Sequence, residues 1–193
     1  MTTVVVPFAG AAGKSRLDAP RRLRRDLSLA MLGDVVAASV AVGRTLVVTG
    51  DEDGAAVALE LGAETVVDPG GGQGTAVQAA LDGLDGPVLV VNADLPCVVP
   101  DDLRAVAAAV PEDGIALVEA LDGTTNALGL SSAALFSPVY GPDSARRFLA
   151  LASDVVSVAV PRIAEDVDTM ADLERLQLRC GPRTQAVLAG AER

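Results

Sequence analysis

The chain predicts a single α/β domain spanning residues 1–193, built on a mostly parallel, mixed sheet with helices on both faces. Three observations lead there. Short Val-rich runs alternate with amphipathic helical patterns from end to end, the pattern of strand–helix units. The 193 residues only slightly exceed one domain of roughly 150 residues. One Asp-Gly turn between two apolar runs marks an antiparallel excursion. Half of the residues are hydrophobic and 21% are charged, a balance that favours a buried core over disorder.

The predicted strands are Thr3–Phe8, Thr45–Thr49, Glu64–Val67, Val88–Asn92 and Val155–Val160, each bounded by Gly, Pro or Asp. Ile115–Leu121 and Thr124–Ser131 flank Asp122-Gly123 and form the hairpin. Helical spacing recurs at Val77, Ala80, Leu81 and Leu84, at Leu103, Val106, Ala107 and Val110, and at Ala145, Phe148, Leu149 and Ala152. Thr75 with Gln78, and Thr169 with Asp172, have capping-box spacing. Pro100 followed by Asp101 and Asp102 suits a first helical turn, where acids meet the positive end of the dipole. Gly181–Arg193 reads as a loosely attached helix.

Composition excludes several functions. Fifteen basic against 26 acidic residues leave a net charge of −11, which speaks against nucleic acid or an anionic membrane as partner. An aromatic content of 2% provides no stacking platform for bases. With no His, Ser-His and Cys-His nucleophiles and His-ligated metals are excluded. Any metal needs oxygen ligands, as magnesium, calcium or manganese do. Cys97 and Cys180 form no CxxC pair, there is no signal-peptide pattern, and no apolar run nears the ~20 residues of a membrane span. A cytoplasmic protein is expected.

Against that acidic background, Lys14, Arg16, Arg21, Arg22, Arg24 and Arg25 crowd six positive charges into twelve positions, and Lys14 is the only lysine. They follow Phe8-Ala9-Gly10-Ala11-Ala12-Gly13, whose small residues let backbone amides approach an anion. Gly10, Gly13, Lys14 and Ser15 are thus candidates to cradle phosphates; the alternative is a solvated basic helix start. A Walker A loop fails on spacing, because its first Gly would fall at Phe8 and Pro20 interrupts the helix.

Asn92-Ala93-Asp94-Leu95-Pro96 ends the most apolar strand, where open α/β sheets collect ligands. Asp94 there either holds magnesium or simply ends a strand. In Glu165-Asp166-Val167-Asp168-Thr169, Asp166 and Asp168 point the same way on an extended segment and either share a metal with Asp94 or cap the next helix. Thr125, Gly141 and Ser144 offer hydroxyls and bare amides to a small phosphorylated acid, or belong to a hairpin and a helix start. Gly70-Gly71-Gly72-Gln73-Gly74 is either a close approach to a base, through Gly72 and Gly74, or a linker.

In order along the chain, Ala12-Gly13-Lys14-Ser15-Arg16-Leu17, Ala30-Met31-Leu32 with Asp34-Val35, Ala93-Asp94-Leu95-Pro96, Thr125-Asn126-Ala127-Leu128, Gly141-Pro142-Asp143-Ser144 and Asp166-Val167-Asp168-Thr169 resemble one family. It is the MobA-like nucleotidyltransferases, specifically the guanylyltransferases acting on 2-phospho-L-lactate or phosphoenolpyruvate in coenzyme F-420 biosynthesis. The resemblance implies a three-layer α/β/α, Rossmann-like sandwich of the nucleotide-diphospho-sugar transferase type. It also implies GTP, magnesium and a small phosphorylated carboxylic acid as ligands, and admits a homodimer. By it, Lys14 and Arg16 face the triphosphate, and Asp94, Asp166 and Asp168 hold the metal. Thr125, Gly141 and Ser144 hold the acceptor, and the Gly72–Thr75 loop lies near guanine. The composition is similar to that of actinobacterial members, which points to phosphoenolpyruvate. Three places depart from the family's usual residues: Phe148 stands where a His is common, Asp122-Gly123-Thr124 where Gly-Thr-x is, and Gln73-Gly74-Thr75 where Gly-Leu-Asn is.

Overall fold

In the computed structural model, residues 2–10, 17–151 and 154–191 are described. The strands are β1 (Thr3–Pro7), β2 (Thr45–Thr49), β3 (Glu64–Val67), β4 (Val88–Val91), β5 (Ile115–Glu119), β6 (Thr125–Leu130) and β7 (Val155–Ser157). They form one sheet in the order β3-β2-β1-β4-β6-β5-β7. Only β6 runs against the others, paired antiparallel with β4 on one side and β5 on the other. The Asp122-Gly123 turn returns the chain into β6, with Gly123 at φ 85°.

The helices are α1 (Arg21–Val40), α2 (Glu52–Glu60), α3 (Gln73–Leu81), α4 (Pro100–Ala109), α5 (Ser144–Leu149), α6 (Pro161–Ala164), α7 (Met170–Leu176) and α8 (Pro182–Ala191). Successive strand residues point to opposite faces, and both faces are covered. Val4, Val6, Leu89, Val91, Ala116 and Val118 pack with residues of α1, α2, α4 and α6. Val5, Val88, Val90, Ile115 and Leu117 pack with residues of α3 and α5. This is the expected α/β/α sandwich, and it explains why the strands read as continuous Val runs: both sides are buried. Each fully buried Val or Leu contributes roughly 1.5–3 kcal/mol of transfer free energy.

Several boundaries differ from expectation. β7 ends at Ser157; the Val158 amide still donates to the Leu117 carbonyl over 2.8 Å, but Pro161 starts α6 soon after. α3 begins at Gln73, ahead of Thr75, because Gly72 takes φ 97° at the N-cap, a conformation glycine alone adopts readily. The capping box of Thr169 and Asp172 forms as predicted: each side chain accepts from the other's backbone amide, over 3.3 and 2.9 Å.

The C-terminal helix is not loosely attached. The Asp34 carboxylate, buried on α1, accepts from the backbone amides of Arg183 and Thr184 over 3.1 and 3.0 Å. The Gly181 amide donates to the Pro96 carbonyl over 2.6 Å. A negative charge on a helix N-terminus satisfies orphan donors and meets the positive end of the dipole. Cys97 and Cys180, both buried thiols 3.8 Å apart, sit in the small apolar cluster this docking creates.

Candidate active site

The carboxyl ends of β1 and β4 open onto one rim of the sheet. Because β6 is antiparallel, its first residues, Thr125 and Asn126, reach the same rim, and the Asn92 amide donates to the Asn126 carbonyl over 3.0 Å. The segment after α6 arrives there too, pinned by the Val167 amide to the Asp94 carbonyl over 3.0 Å. Strand ends of an open α/β sheet are where its ligands bind.

Two hollows meet at this rim. The first, about 270 Å³, is lined by Phe8, Gly10, Ser28, Asp68, Gly72 and Gln73 among others. The second, about 390 Å³, is lined by Thr125, Tyr140, Gly141, Ser144 and Asp166 among others. Gln73, Asn92, Asp94 and Asp168 belong to both, so the junction carries two of the predicted metal ligands. Asp94, Asp166 and Asp168 each offer a carboxylate oxygen, all within 4.8 Å of one another. Three hard oxygen donors without nitrogen or sulfur suit a magnesium-type cation.

The electrostatics fit such an ion. Burial, and after it the charge of Asp94, push the Asp166 carboxyl above the ordinary range, while a hydrogen bond from Asn126 opposes the shift. Carboxylates this close disfavour one another's ionisation, and a divalent ion relieves that repulsion. The segment is held from behind as well. Glu165 accepts from Arg175 and Arg179 over 2.5 and 2.7 Å.

Gly10 lines the first hollow and packs its bare backbone against Asp51. Its φ is 74°, and a methyl there would lie 2.5 Å from Asp51 Oδ2. Gly72 lines the same hollow, whereas Gly74 faces Pro138, and a methyl on it would come within 2.7 Å of the proline Cβ. Gly13, Lys14, Ser15 and Arg16 lie outside the described residues. Of the basic run beyond them, the Arg25 guanidinium pairs with Asp53, and Arg22 lies 3.9 Å from Asp26 on the next turn. Four arginines in the first five residues of α1, with no acid in that first turn, oppose the helix dipole. That placement is not one made for helix stability.

In the second hollow the Ser144 hydroxyl donates to the Thr125 hydroxyl over 3.1 Å, and both residues are buried. This bond fixes the start of α5 against β6. Gly141, at φ 108°, begins the turn between them. The Arg147 guanidinium donates to the Pro142 and Tyr140 carbonyls over 2.6 and 3.2 Å and clamps the loop. Beneath it, Phe136, Tyr140 and Phe148 form an aromatic cluster with centroids 5.2–6.5 Å apart. Phe148 is wholly buried, so this position supports the loop from below and does not line the hollow.

Sequence reasoning missed Ser28 and Asp68 in the first hollow and the side-chain roles of Gln73 and Asn126. Ser28 and Asp68 carry no motif. Gln73 and Asn126 stood inside recognised segments, but their partners are distant in sequence.

A MobA-like NTP transferase domain matches residues 11–158. The phosphoenolpyruvate guanylyltransferase of Geodermatophilus obscurus is 38% identical over 183 residues, covering 92% of this chain and 85% of that protein. The enzyme of the same name from Streptomyces coelicolor is 39% identical over 204 residues, covering 97% and 95%. Among solved structures, a candidate nucleotide-diphospho-sugar transferase from Desulfovibrio desulfuricans G20 superposes with a TM-score of 0.76 at 17% identity, covering 99% of this chain and 95% of that one. A nucleotidyl transferase from Methanothermobacter gives 0.70 at 17%, covering 98% and 99%. At that identity the solved structures speak to the fold, which they share throughout. By the domain match and the extent of the sequence relationship, the chain belongs to the MobA-like NTP transferases and, within them, to the phosphoenolpyruvate guanylyltransferase family.

Proposed function

We propose that this protein transfers GMP from GTP to phosphoenolpyruvate with release of pyrophosphate, a step of coenzyme F-420 biosynthesis, and that it does so with magnesium. The observation that carries the reading is the meeting of two hollows at Asp94 and Asp168. A reaction that joins two phosphorylated molecules needs adjoining pockets and a cation centre between them.

In this reading GTP occupies the first hollow, its base near Gly72 and its phosphates against Gly10, Gly13, Lys14, Ser15 and Arg16. Phosphoenolpyruvate occupies the second, near Thr125, Gly141 and Ser144. Asp94, Asp166 and Asp168 hold magnesium, which neutralises phosphate charge when bound. An acceptor phosphate, with a second pKa of about 6, is already ionised at neutral pH and needs no general base, so the lack of His costs nothing. Its oxygen attacks the α-phosphorus of GTP, a new P–O bond forms, and the bond to the β-phosphate breaks to free pyrophosphate. Lys14 and Arg16 stabilise the charge that accumulates. Among the described residues no helix is long and apolar enough to cross a membrane. The reading places the enzyme in the cytoplasm, where two buried thiols stay reduced, and is compatible with a homodimer.

The test is pyrophosphate release by the purified protein given GTP, magnesium and either phosphoenolpyruvate or 2-phospho-L-lactate. Release with phosphoenolpyruvate is expected. A folded sample that releases none with either acceptor overturns the proposal, and release of GDP instead identifies a phosphotransferase.

A further inference from the structure

We propose that the side-chain amides of Gln73, Asn92 and Asn126 form a polarised relay that positions the Asp166 carboxylate, so that the start of α3 and the cation centre are built as one unit. The proposal rests on the metal-centre reading above and goes beyond it, because it gives a role to three amides outside the carboxylate trio of that reading.

The chain of bonds is continuous. Asn126 donates from Nδ2 to Asp166 Oδ1 over 3.2 Å and to the Ile163 carbonyl over 2.8 Å. Asn92 donates from Nδ2 to Asn126 Oδ1 over 3.2 Å and to the Thr125 carbonyl over 3.2 Å. Gln73 donates from Nε2 to Asn92 Oδ1 over 2.7 Å. Nitrogen and oxygen of an amide are assigned from their surroundings, and here the surroundings leave one choice. A carboxylate and a main-chain carbonyl can only accept, so Asn126 must turn its nitrogen to them. Its oxygen then faces Asn92, which must offer nitrogen there and oxygen to Gln73. The orientation is set at Asp166 and propagates to the first residue of α3.

Asn126 is 2% exposed. Unsatisfied, its polar groups would carry a heavy penalty in that setting, and linked amides polarise one another. Partners that hold a ligating carboxylate fix its direction, and losing one typically weakens metal binding by about 10–100-fold. Gln73, Asn92 and Asn126 are therefore positioning residues acting through Asp166.

Titration of the full-length protein with Mn²⁺, with free ion followed by electron paramagnetic resonance, tests this without turnover. Asn126→Ala should weaken Mn²⁺ binding by about tenfold, and Gln73→Leu by a smaller but measurable factor. Gln73→Glu is the decisive variant, and it decides alone if Asn126→Ala fails to fold. A carboxylate cannot donate to Asn92 Oδ1, so either the bond is lost or Asn92 turns over and places its oxygen against two acceptors. The relay thus predicts weaker Mn²⁺ binding than in Gln73→Leu, whereas the added negative charge alone would tighten it. Binding in Gln73→Glu equal to or tighter than wild type overturns the relay and leaves the metal centre standing. A wild-type protein that takes up no Mn²⁺ overturns both.

Discussion

The Val167 amide donates to the Asp94 carbonyl over 3.0 Å, and through it the strand end that carries Asp94 is fastened to the extended segment that carries Asp166 and Asp168. The bond is main chain to main chain, so it survives changes at either carboxylate. Asp94→Asn should therefore leave the fold intact by circular dichroism while lowering pyrophosphate release by at least about a hundredfold, as expected for loss of a charged cation ligand. Turnover near the wild-type level would remove Asp94 from the centre.

Asp166 should behave differently in stability from an ordinary surface acid. Its folded-state carboxyl is shifted upward, first by burial and then by Asp94. An acid raised in this way binds its proton more tightly in the native state than in the unfolded chain. Native stability therefore falls as pH climbs from the ordinary carboxylate value through the raised one. Asp166→Asn removes the charge and should raise the melting temperature of metal-free protein by a few degrees at about pH 7, with little effect at about pH 4. Magnesium should stabilise the wild type and not the variant. A variant that melts lower than wild type in chelator at neutral pH contradicts this account.

How much of this was legible follows from where the signals sit. The strands could be read because burial on both faces leaves Val runs such as Val88–Val91. The Thr169–Asp172 box could be read because both partners lie within one helical turn. Asp94, Asp166 and Asp168 were identifiable as a set because a chain without His leaves acids as its metal ligands and because their two segments stand among the motifs of the family resemblance. Hidden were the pairings across long separations: Asn126 with Asp166, 40 positions apart, and Asp34 with Thr184, 150 apart. Neither has a local pattern, since an Asn in a strand and an Asp in a helix are unremarkable until the fold supplies the partner. The start of α3 is hidden for a related reason: Thr75 and Gln78 have the right spacing, but Gly72 turns the chain first.

Asp34 should prove a stability residue. Its carboxylate holds the first amides of α8, in the manner of an N-cap supplied by another helix, and such caps contribute about 0.5–2 kcal/mol. Asp34→Ala should cost that much or slightly more, because one buried and one part-buried amide lose their acceptor. The amides of residues 183–191 should then exchange with deuterium faster than in the wild type. Gly181→Ala should act in the same direction, since its methyl would fall 2.4 Å from Asp34 Cγ. Unchanged exchange over α8 in both variants would show that the apolar contacts alone hold the helix.

Phe148→His should not improve use of the acceptor. The Phe148 ring is wholly buried, edge-on to Tyr140 at 5.2 Å and 6.5 Å from Phe136, so an imidazole put there meets aromatic carbon and not the hollow. The exchange should cost about 2–4 kcal/mol in lost packing and a poorly satisfied polar ring. Burial lowers the pKa of such a His below its unfolded value of about 6.5, so protonation favours the unfolded chain. The deficit against wild type should therefore grow as pH falls below about 6.5 and level off once the folded pKa is passed. Denaturant unfolding at a series of pH values measures it. A deficit independent of pH, with a lower KM for phosphoenolpyruvate, would mean that the new ring reaches the second hollow after all.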